Sequence, residues 1–550
     1  MSKRLYRVLA EAFIAEGVDT VFVLTGDGNM YWEAAFAEAP STRTIHVRHE
    51  HCACAMASAY ARVNDTVGVA SVTCGPGLSQ TMTALATAVQ SRIPLVVFAG
   101  ESPLNTGYFN QEIDQAPMVV ATGARYIAIH SAKRVQQLVA EAFHYARTNN
   151  MPVVVGIPYD LQQTVMENVP DYVPSSHYMP DIGPRAPHPD YLDKAVERIA
   201  AAKRVVVLGG RGAKLSSAVD ACVKLAEVTN GALATTLLVR GLFARNSRDI
   251  GVAGGFAHPA TVEACKAADL VIAVGAGLNG YTTDAGKLFA NADILQIDDE
   301  PAGYVQGRRP AAQYLAADAK LGVEALVREL ETRKLANPDW GVTEYAKRMR
   351  VEPVDTRPYP VPPGTTDPRE VIRVLDRELP KDWAYVNGSG HCSFFSVHIF
   401  DRPAENFLTI REFGAIGNGL SYAVGMAAAR TDRPTVLIEG DGGFMMHVQE
   451  LETVQRQGMK ILFCILNDGA FGSEIHKLRV DGMDDHGAVY GRNGIARIAQ
   501  GFGLRSATVT SVDELPALIK EFEAGEGAML LDIQISDQVI SPRMLKNIQR

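Results

Sequence analysis

The chain lacks the marks of several protein classes. None of its apolar runs reaches the roughly 18 residues that a membrane-spanning helix needs, and residues 1–7 lead into an amphipathic stretch rather than a signal peptide. A net charge of −9 leaves no excess of basic side chains for nucleic acid. Its seven cysteines are odd in number and show no zinc-like pairs. We therefore expect a cytoplasmic protein with reduced thiols that binds neither nucleic acid nor a membrane.

The chain does contain short apolar runs that alternate with helical stretches. Runs such as residues 67–73, 204–208 and 460–466 are typical of buried parallel strands. Two proline-rich stretches, residues 170–189 and 351–368, separate these runs into three groups. The pattern predicts an α/β protein with three doubly wound parallel-sheet domains, at residues 1–170, 188–340 and 365–550.

The third group carries the most informative motif. Gly440, Asp441, Gly442 and Gly443 follow one predicted strand, Asn467 and Gly469 follow the next, and a helix is predicted over residues 445–458. The carboxyl ends of parallel strands meet at one sheet edge, where oxygen ligands suit Mg²⁺ bound to a phosphate. We predict Asp441, Asn467 and Gly469 as metal ligands. Gly440, Gly442 and Gly443 would let the backbone approach a diphosphate.

This spacing resembles the diphosphate and metal motif of thiamine diphosphate (ThDP) enzymes. A second resemblance lies in residues 48–62, where a predicted strand ends and a helix of small residues begins just after Glu50. The resemblance implies that Glu50 hydrogen-bonds the aminopyrimidine ring of the cofactor and acts as a general acid–base group. Read by itself, Glu50 could equally be a helix cap or a partner for Arg48.

Two glycine-rich segments resemble further cofactor contacts of these enzymes. In residues 414–417, Ile416 would hold the cofactor in its bent shape and the carbonyl of Gly414 would receive its amino group. In residues 387–392, the segment that contains Ser389, Gly390 and His391 sits where the family contacts the diphosphate. Without the resemblance, these segments could be a core helix start and an ordinary loop.

The order of the three domains resembles the acetolactate synthase and pyruvate decarboxylase branch, with pyrimidine-binding, middle and diphosphate-binding domains. The resemblance implies a ThDP- and Mg²⁺-dependent transferase or lyase that makes or breaks a bond next to a carbonyl. Asp27 and Glu474 resemble decarboxylase residues, whereas Gln111, in residues 109–114, resembles the synthases. We expect a carboligase acting on a 2-oxo acid or a related carbonyl compound. A non-carboligating decarboxylase and a carbon–carbon hydrolase or lyase are the alternatives.

The middle domain carries a rival motif. Residues 275–280 match the G-x-G-x-x-G dinucleotide fingerprint, and Asp298 follows at the end of a later predicted strand. An FAD- or NAD-linked oxidoreductase is therefore the remote alternative, and FAD remains possible in a ThDP enzyme. Glu50 and Asp441 fall in different domains, and the resemblance implies that two chains build each site between them. We expect a homodimer at least, and a homotetramer as the final assembly.

Overall fold

The computed structural model describes residues 2–300 and 307–548. It contains three sheets of six parallel strands each, with helices on both faces. The predicted α/β class with three doubly wound parallel sheets is confirmed. Across the described part of the chain, no helix is long and apolar enough to cross a membrane.

The first sheet lies in the amino-terminal part of the chain, the N-domain. Its elements are β1 (Lys3–Arg4), α1 (Leu5–Ala15), β2 (Thr20–Val23), α2 (Met30–Ala37), β3 (Arg43–His46), α3 (Glu50–Asn64), β4 (Gly68–Val72), α4 (Pro76–Ser79), α5 (Met82–Gln90), β5 (Leu95–Glu101), α6 (Gln115–Ala121), β6 (Arg125–Ala128), α7 (Val135–Asn149), β7 (Pro152–Pro158), α8 (Tyr159–Gln162) and β8 (Val165–Met166). The strand order is β3-β2-β4-β5-β7-β6, and β1 pairs with β8 as a separate antiparallel ribbon. The order reverses between β2 and β4, so the loops that follow these two strands diverge and leave a crevice.

The second sheet forms the middle domain. Its elements are α9 (Pro189–Ala201), β9 (Val205–Gly209), α10 (Arg211–Leu215), α11 (Val219–Val228), β10 (Ala232–Thr235), β11 (Asp249–Val252), α12 (Pro259–Ala267), β12 (Leu270–Val274), β13 (Asp293–Asp298), β14 (Gln313–Ala316), α13 (Ala319–Thr332) and α14 (Val342–Val351). The strand order is β11-β10-β9-β12-β13-β14, which reverses between β9 and β12. The alternative dinucleotide motif begins directly after β12, at this reversal.

The third sheet forms the C-domain. Its elements are α15 (Pro368–Glu378), β15 (Ala384–Asn387), α16 (Cys392–Ser396), β16 (Phe407–Leu408), α17 (Gly419–Ala429), β17 (Thr435–Gly440), α18 (Asp441–Met446), α19 (Glu450–Arg456), β18 (Ile461–Asn467), α20 (Gly472–Val480), α21 (Ile495–Gly501), β19 (Arg505–Val509), α22 (Leu515–Ala524), β20 (Met529–Gln534) and α23 (Pro542–Ile548). The strand order is β16-β15-β17-β18-β20-β19, which reverses between β15 and β17. The segments after β15 and β17 are the two predicted diphosphate contacts, so both border the C-domain crevice.

Two helix boundaries differ from the prediction. The helix expected over residues 445–458 is two helices, because α18 begins at Asp441 and the chain turns at His447 before α19 begins. The Nδ1 of His447 lies 2.8 Å from the carbonyl oxygen of Gly417, a contact far away in sequence that fixes this turn. In the N-domain, α3 begins at Glu50 itself, with His49 as its amino-terminal cap.

The N-domain and the C-domain pack through two parallel helices, α3 and α17. Residue 425 in the middle of α17 must be glycine, because a Cβ there would collide with the backbone carbonyl of Met56. An ion pair between Arg62 and Glu412, with an N–O distance of 2.8 Å, closes one end of the contact. At the other end, the Nε2 of His51 lies 2.5 Å from the Oδ1 of Asn418.

Candidate active site

The C-domain crevice holds two adjoining carboxyl groups, those of Asp441 and Asp468. Asp441 is the first residue of α18, directly after β17, and is 2% exposed. Asp468 follows β18, the neighbouring strand, and burial together with the Asp441 charge raises the pKa of its carboxyl well above the usual range. Burial also raises the pKa of Asp441, to about 6. Two acids held together in this way suit a divalent cation, which would neutralise both.

The other two predicted metal ligands, Asn467 and Gly469, differ in whether an oxygen atom is free to bind a cation. Asn467 donates from Nδ2 to the Oδ1 of Asp532 at 2.8 Å, which leaves its own Oδ1 buried without a partner. The carbonyl of Gly469 already accepts the backbone N–H groups of Tyr490 and Gly491, at 3.0 and 2.9 Å. The N–H of Gly469 donates to Asp441 at 3.0 Å. This geometry favours Asp468, which the sequence interpretation left out, over Gly469 as a cation ligand.

Glu439, the residue before the glycine motif, lies fully buried beneath the crevice. Its Oε1 accepts the N–H of Gly419 at 3.2 Å, at the start of α17, where the cap residue Asn418 makes no capping bond of its own. A Cβ on Gly388, Gly419 or Gly443 would come within 2.5 to 3.0 Å of this carboxyl group. Glu439 therefore caps α17 from a neighbouring strand and brings three glycine-containing segments together.

The two glycine-rich segments predicted to bind the cofactor meet at the crevice. A Cβ on Gly390 would lie 4.0 Å from the Cγ2 of Ile416, although the two residues follow different strands. Gly390 and Gly414 have positive φ angles of 105° and 75°, a conformation that favours glycine. Nothing lies within 4 Å of the Cβ position of Gly414, so the space beside this residue is open.

His391 follows Gly390 and is buried beside a second histidine. Its Nε2 accepts the backbone N–H of Ser541 at 3.2 Å, which leaves the ring proton on Nδ1. The ring of His476 lies 4.7 Å away between centroids. Burial, with a smaller effect from His476, lowers the pKa of His391 well below its ordinary value, so the ring is neutral and its Nδ1–H is a donor.

In the N-domain, Glu50 lies at the amino end of α3, where the helix dipole favours a carboxylate. Its Oε1 lies 3.5 Å from the Cβ position of Gly77, in the short helix α4 that follows β4. The side chain therefore points along the edge of the N-domain sheet towards the β2–β4 crevice. Among residues 2–300 and 307–548, no hydrogen bond joins this carboxylate to the C-domain.

Gln111 is held against the loop that follows β4. Its Oε1 accepts the thiol of Cys74 at 3.2 Å. Gly75 has a φ of 56°, and a Cβ there would collide with the carbonyl of Gln111. Gln115 supports the same loop by accepting the N–H of Gly75 at 2.8 Å. Gln111 is thus fixed at the N-domain crevice, as its predicted catalytic role requires.

Asp27 and Glu474 are the remaining predicted catalytic residues. Asp27 is exposed in the loop after β2, which is joined to the loop after β4 by a 3.1 Å bond from the N–H of Gly28 to Thr73. Burial, with a smaller effect from the Asp27 charge, raises the pKa of the Cys74 thiol, which places Asp27 at the same crevice. Glu474 lies on α20 with 53% of its side chain exposed and pairs with Lys477 at 3.3 Å.

The rival dinucleotide motif has no phosphate-binding geometry. No helix follows residues 275–280, where turns connect β12 to β13. The N–H of Gly212 donates to the carbonyl of Gly275 at 3.0 Å. This bond joins the segments that follow β9 and β12 and closes the crevice between them. A Cβ on Gly210 would collide with that same carbonyl. The helix amino terminus that a dinucleotide would need is absent at this motif.

Sequence reasoning missed three residues of the two crevices: Asp468, Glu439 and Gln115. Asp468 stands next to a predicted ligand, but neighbouring residues at a strand end point in different directions. Glu439 precedes the motif in an apolar run, and the three glycines that enclose it are far apart in sequence. Gln115 lies four positions after Gln111, and that spacing was the one available signal.

Comparison with known families agrees with this arrangement. A model described as the thiamine pyrophosphate enzyme N-terminal TPP binding domain matches residues 3–118. The thiamine pyrophosphate enzyme central domain matches residues 192–326, and the C-terminal TPP binding domain matches residues 388–533. The chain therefore belongs to the thiamine pyrophosphate enzymes. It is an enzyme, and thiamine diphosphate, another name for thiamine pyrophosphate, is its cofactor.

Similar proteins extend over nearly the whole chain. A probable acetolactate synthase large subunit of Methanococcus aeolicus is 26% identical, with 96% of this chain and 91% of that protein aligned. Acetolactate synthase 2, chloroplastic, of Nicotiana tabacum is 28% identical over 96% of this chain and 82% of its own length. The acetolactate synthase large subunit of Corynebacterium glutamicum is 28% identical over 98% and 87%, respectively.

Proposed function

We propose that this chain is a ThDP- and Mg²⁺-dependent carboligase of the acetolactate synthase type, acting on a 2-oxo acid. The observation that carries the proposal is the placement of two complementary half-sites. Glu50 and Gln111 lie at the crevice of the N-domain sheet, and Asp441, Asp468 and Ile416 lie at that of the C-domain sheet. When bound, ThDP supplies a nucleophilic carbon and an electron sink for a 2-oxo acid that loses carbon dioxide.

Mg²⁺ fits the C-domain half-site. Asp441 and Asp468 would supply carboxylate oxygens, and the buried, unpartnered Oδ1 of Asn467 lies at the end of the same strand as Asp468. In the described residues no group of three or more His, Cys, Asp or Glu side chains could hold a metal. Two carboxylates, an amide oxygen and the phosphate oxygens of the cofactor would therefore make up the ligand set.

The chain's own residues have distinct tasks in this proposal. Glu50 exchanges a proton with the aminopyrimidine ring, and Ile416 supports the bend of the cofactor. The Nδ1–H of His391 donates to the diphosphate, since its Nε2 is already bonded to Ser541. Gly440, Gly442 and Gly443, together with Ser389 and Gly390, let the backbone come close to the phosphates.

The geometry supports a carboligase over a decarboxylase. Gln111, the synthase-like residue, is fixed at the N-domain crevice by Cys74 and Gly75. Glu474, the decarboxylase-like residue, is mostly exposed and paired with Lys477 on α20. Asp27 lies at the same crevice as Gln111 and would serve either outcome. A non-carboligating decarboxylase is therefore the second candidate, and we propose no FAD or NAD at residues 275–280.

The proposed assembly is a homodimer at least, with each site built by the N-domain of one chain and the C-domain of another. In one chain, the Glu50 carboxylate lies beside Gly77 of α4 in its own N-domain. Large apolar side chains near the half-sites are exposed, including Tyr108 at 78%, Phe413 at 48% and Met446 at 51%. A second chain would cover them and complete both sites.

The test of the reaction is incubation of the purified protein with ThDP, Mg²⁺ and pyruvate, or longer 2-oxo acids. Carbon dioxide and condensation products are both measured. A carboligase forms about one condensation product for each carbon dioxide released when a second oxo acid is the acceptor. Release of carbon dioxide with only the simple aldehyde as product would establish the decarboxylase instead.

The test of the shared site is complementation between two inactive chains. A Glu50→Gln chain is mixed with an Asp441→Ala chain after dissociation and reassociation. About half of randomly paired dimers would be mixed, each with one intact site, so about a quarter of wild-type activity should return. No recovery, with chain exchange verified by mass, would mean that each site is built within one chain.

A further inference from the structure

Arg411 is a partly buried cation without an anionic partner in the described part of the chain. It lies three residues after β16, and its Nη1 is buried with no hydrogen-bond partner. The adjacent Glu412 cannot neutralise it, because one carboxylate oxygen accepts Arg62 and the other accepts the backbone N–H of Arg411, each at 2.8 Å. Burial, with smaller effects from Arg240 and Arg543, lowers the pKa of Arg411 to about 10, so the guanidinium still carries its charge at neutral pH.

Two neighbouring aromatic rings, whose centres are 5.5 Å apart, lie against the guanidinium. Its Cζ lies 5.2 Å from the ring centre of Phe256, in the middle domain, and 5.6 Å from that of Phe394, in the C-domain. A second arginine, Arg543 of α23, lies 5.7 Å from the same Phe256 ring and pairs with Asp284 at 3.2 Å. Contact with the rings restricts the orientation of the guanidinium. The N–H donors in the guanidinium plane remain able to form hydrogen bonds.

The site adjoins the proposed cofactor contacts. Arg411 begins the loop that carries Gly414 and Ile416, and β16 pairs with β15, so their following loops leave the same sheet edge. The Cys392 thiol, next to His391, is close enough to affect the pKa of Arg411. On the outer side, Tyr281 is 69% exposed and its ring centre lies 6.0 Å from Arg543, at the surface between the middle domain and the C-domain.

We propose that Arg411 binds the carboxylate of the 2-oxo acid substrate, with the neighbouring Arg543 adding positive potential. This inference rests on the proposed function and names the group of the substrate that is recognised. A guanidinium whose Nη1 is buried without a partner is unfavourable by itself, and a planar carboxylate that accepts two of its N–H groups would satisfy it. Discrimination between an oxo acid and the corresponding aldehyde, which lacks the carboxylate, therefore depends on this residue.

The experiment compares Arg411→Met and Arg411→Lys with the wild type, each loaded with ThDP and Mg²⁺. Binding of methyl acetylphosphonate, an anionic analogue of pyruvate that cannot lose carbon dioxide, is measured by calorimetry, and KM is measured for pyruvate and for acetaldehyde. Loss of a charged hydrogen-bonded pair predicts weakening of about tenfold or more for both anionic ligands in Arg411→Met. Arg411→Lys should lose less, because it keeps the charge without the planar fork. Acetaldehyde KM should change by less than about threefold.

Arg369→Met is the matched control, because Arg369 also stacks on an aromatic ring, at 4.9 Å from Tyr359, but has Asp367 and Asp355 as partners. It should bind the analogue as the wild type does. Equal analogue affinity in wild type and both Arg411 variants overturns the inference and leaves the proposed function intact. Loss of ThDP affinity in Arg411→Met would instead assign the guanidinium to the diphosphate and also overturn it. If the wild type binds ThDP but no 2-oxo acid or analogue, the proposed substrate class fails, and this inference fails with it.

Discussion

Replacement of Asp468 by asparagine should have opposite effects on the metal-free protein and on its response to Mg²⁺. The raised pKa of Asp441, about 6 against an ordinary 3.8, means that its ionised form is disfavoured in the folded protein. A shift of about two units corresponds to about 3 kcal/mol. Burial causes this shift, whereas the pKa of Asp468 is raised by burial and by the Asp441 charge, so Asp468→Asn removes a buried acid and should stabilise the metal-free protein at pH 7.5 by about 1–2 kcal/mol.

The sign of the pH dependence follows from proton binding. Between the ordinary and the raised pKa, the folded state binds more protons at Asp441 than the unfolded state does. The contribution of the pair to stability therefore falls as pH rises through about 4 to 6. Mg²⁺ reverses this loss by neutralising both carboxylates, so its stabilising effect on the wild type should be large at pH 7.5 and small at pH 5. Asp468→Asn should respond to Mg²⁺ less strongly at pH 7.5.

The assay is denaturant unfolding of wild type and variant, with a chelator and with saturating Mg²⁺, at both pH values. The difference between the two proteins isolates the pair, because other titrating groups are common to both. Asp481→Asn removes an exposed carboxylate of the same domain and serves as the control for net charge. A metal-free Asp468→Asn protein less stable than wild type at pH 7.5 would refute the repulsion on which the cation site is argued.

Three further perturbations test the rest of the site. Glu50→Gln should keep ThDP bound but slow proton exchange at the reactive carbon of the cofactor by about 10²- to 10⁴-fold, as measured by deuterium exchange. Exchange at the wild-type rate would assign Glu50 a structural role. Glu439→Ala should lose about 1–2 kcal/mol of stability, and ThDP affinity with it, because the start of α17 is then uncapped. Glu439→Gln keeps the acceptor for the N–H of Gly419 and should keep most of the stability and of the ThDP affinity. If the two variants lose the same stability in denaturant unfolding and the same ThDP affinity in calorimetry, the capping role is contradicted. Burial, with smaller effects from His51 and His49, lowers the pKa of His447 to about 4. Because the unfolded state then binds more protons, stability should fall as pH drops from about 6.5 to 4. A His447→Gln protein whose stability shows the same acid dependence would exclude this histidine as the cause.

Much of the fold could be predicted because buried parallel strands have a local signature. The apolar runs at residues 434–438 and 460–466 became β17 and β18, and the motif residues Asp441 and Asn467 follow them at the same sheet edge. Helix boundaries were less certain. The break between α18 and α19 depends on the contact of His447 with Gly417, and no local pattern in residues 445–458 reveals it.

The candidate site divides in a similar way. Ile416 and Gly390 could be assigned to a cofactor site from their motifs, and the structure brings them together, with the Cγ2 of Ile416 4.0 Å from the Cβ position of Gly390. The sequence offered no way to compare Asp468 with Gly469 as a proposed cation ligand, because the comparison depends on which hydrogen bonds the Gly469 carbonyl already accepts. Arg411 gave no signal in sequence, since an unpaired arginine looks like any other until its neighbours are known.

By itself, the sequence determined which segments become strands, which residues stand at their ends and which cofactor family those residues resemble, because periodicity and spacing are properties of short stretches of chain. Only the tertiary structure decided that Asp441 faces Asp468, that Glu439 lies against the distant glycines Gly388 and Gly419, and that Arg411 has no carboxylate partner. These facts depend on burial and on contacts between residues far apart in the chain. Such contacts change the pKa of an acid or leave a cation unpaired, and they are established only when the sheets and helices pack.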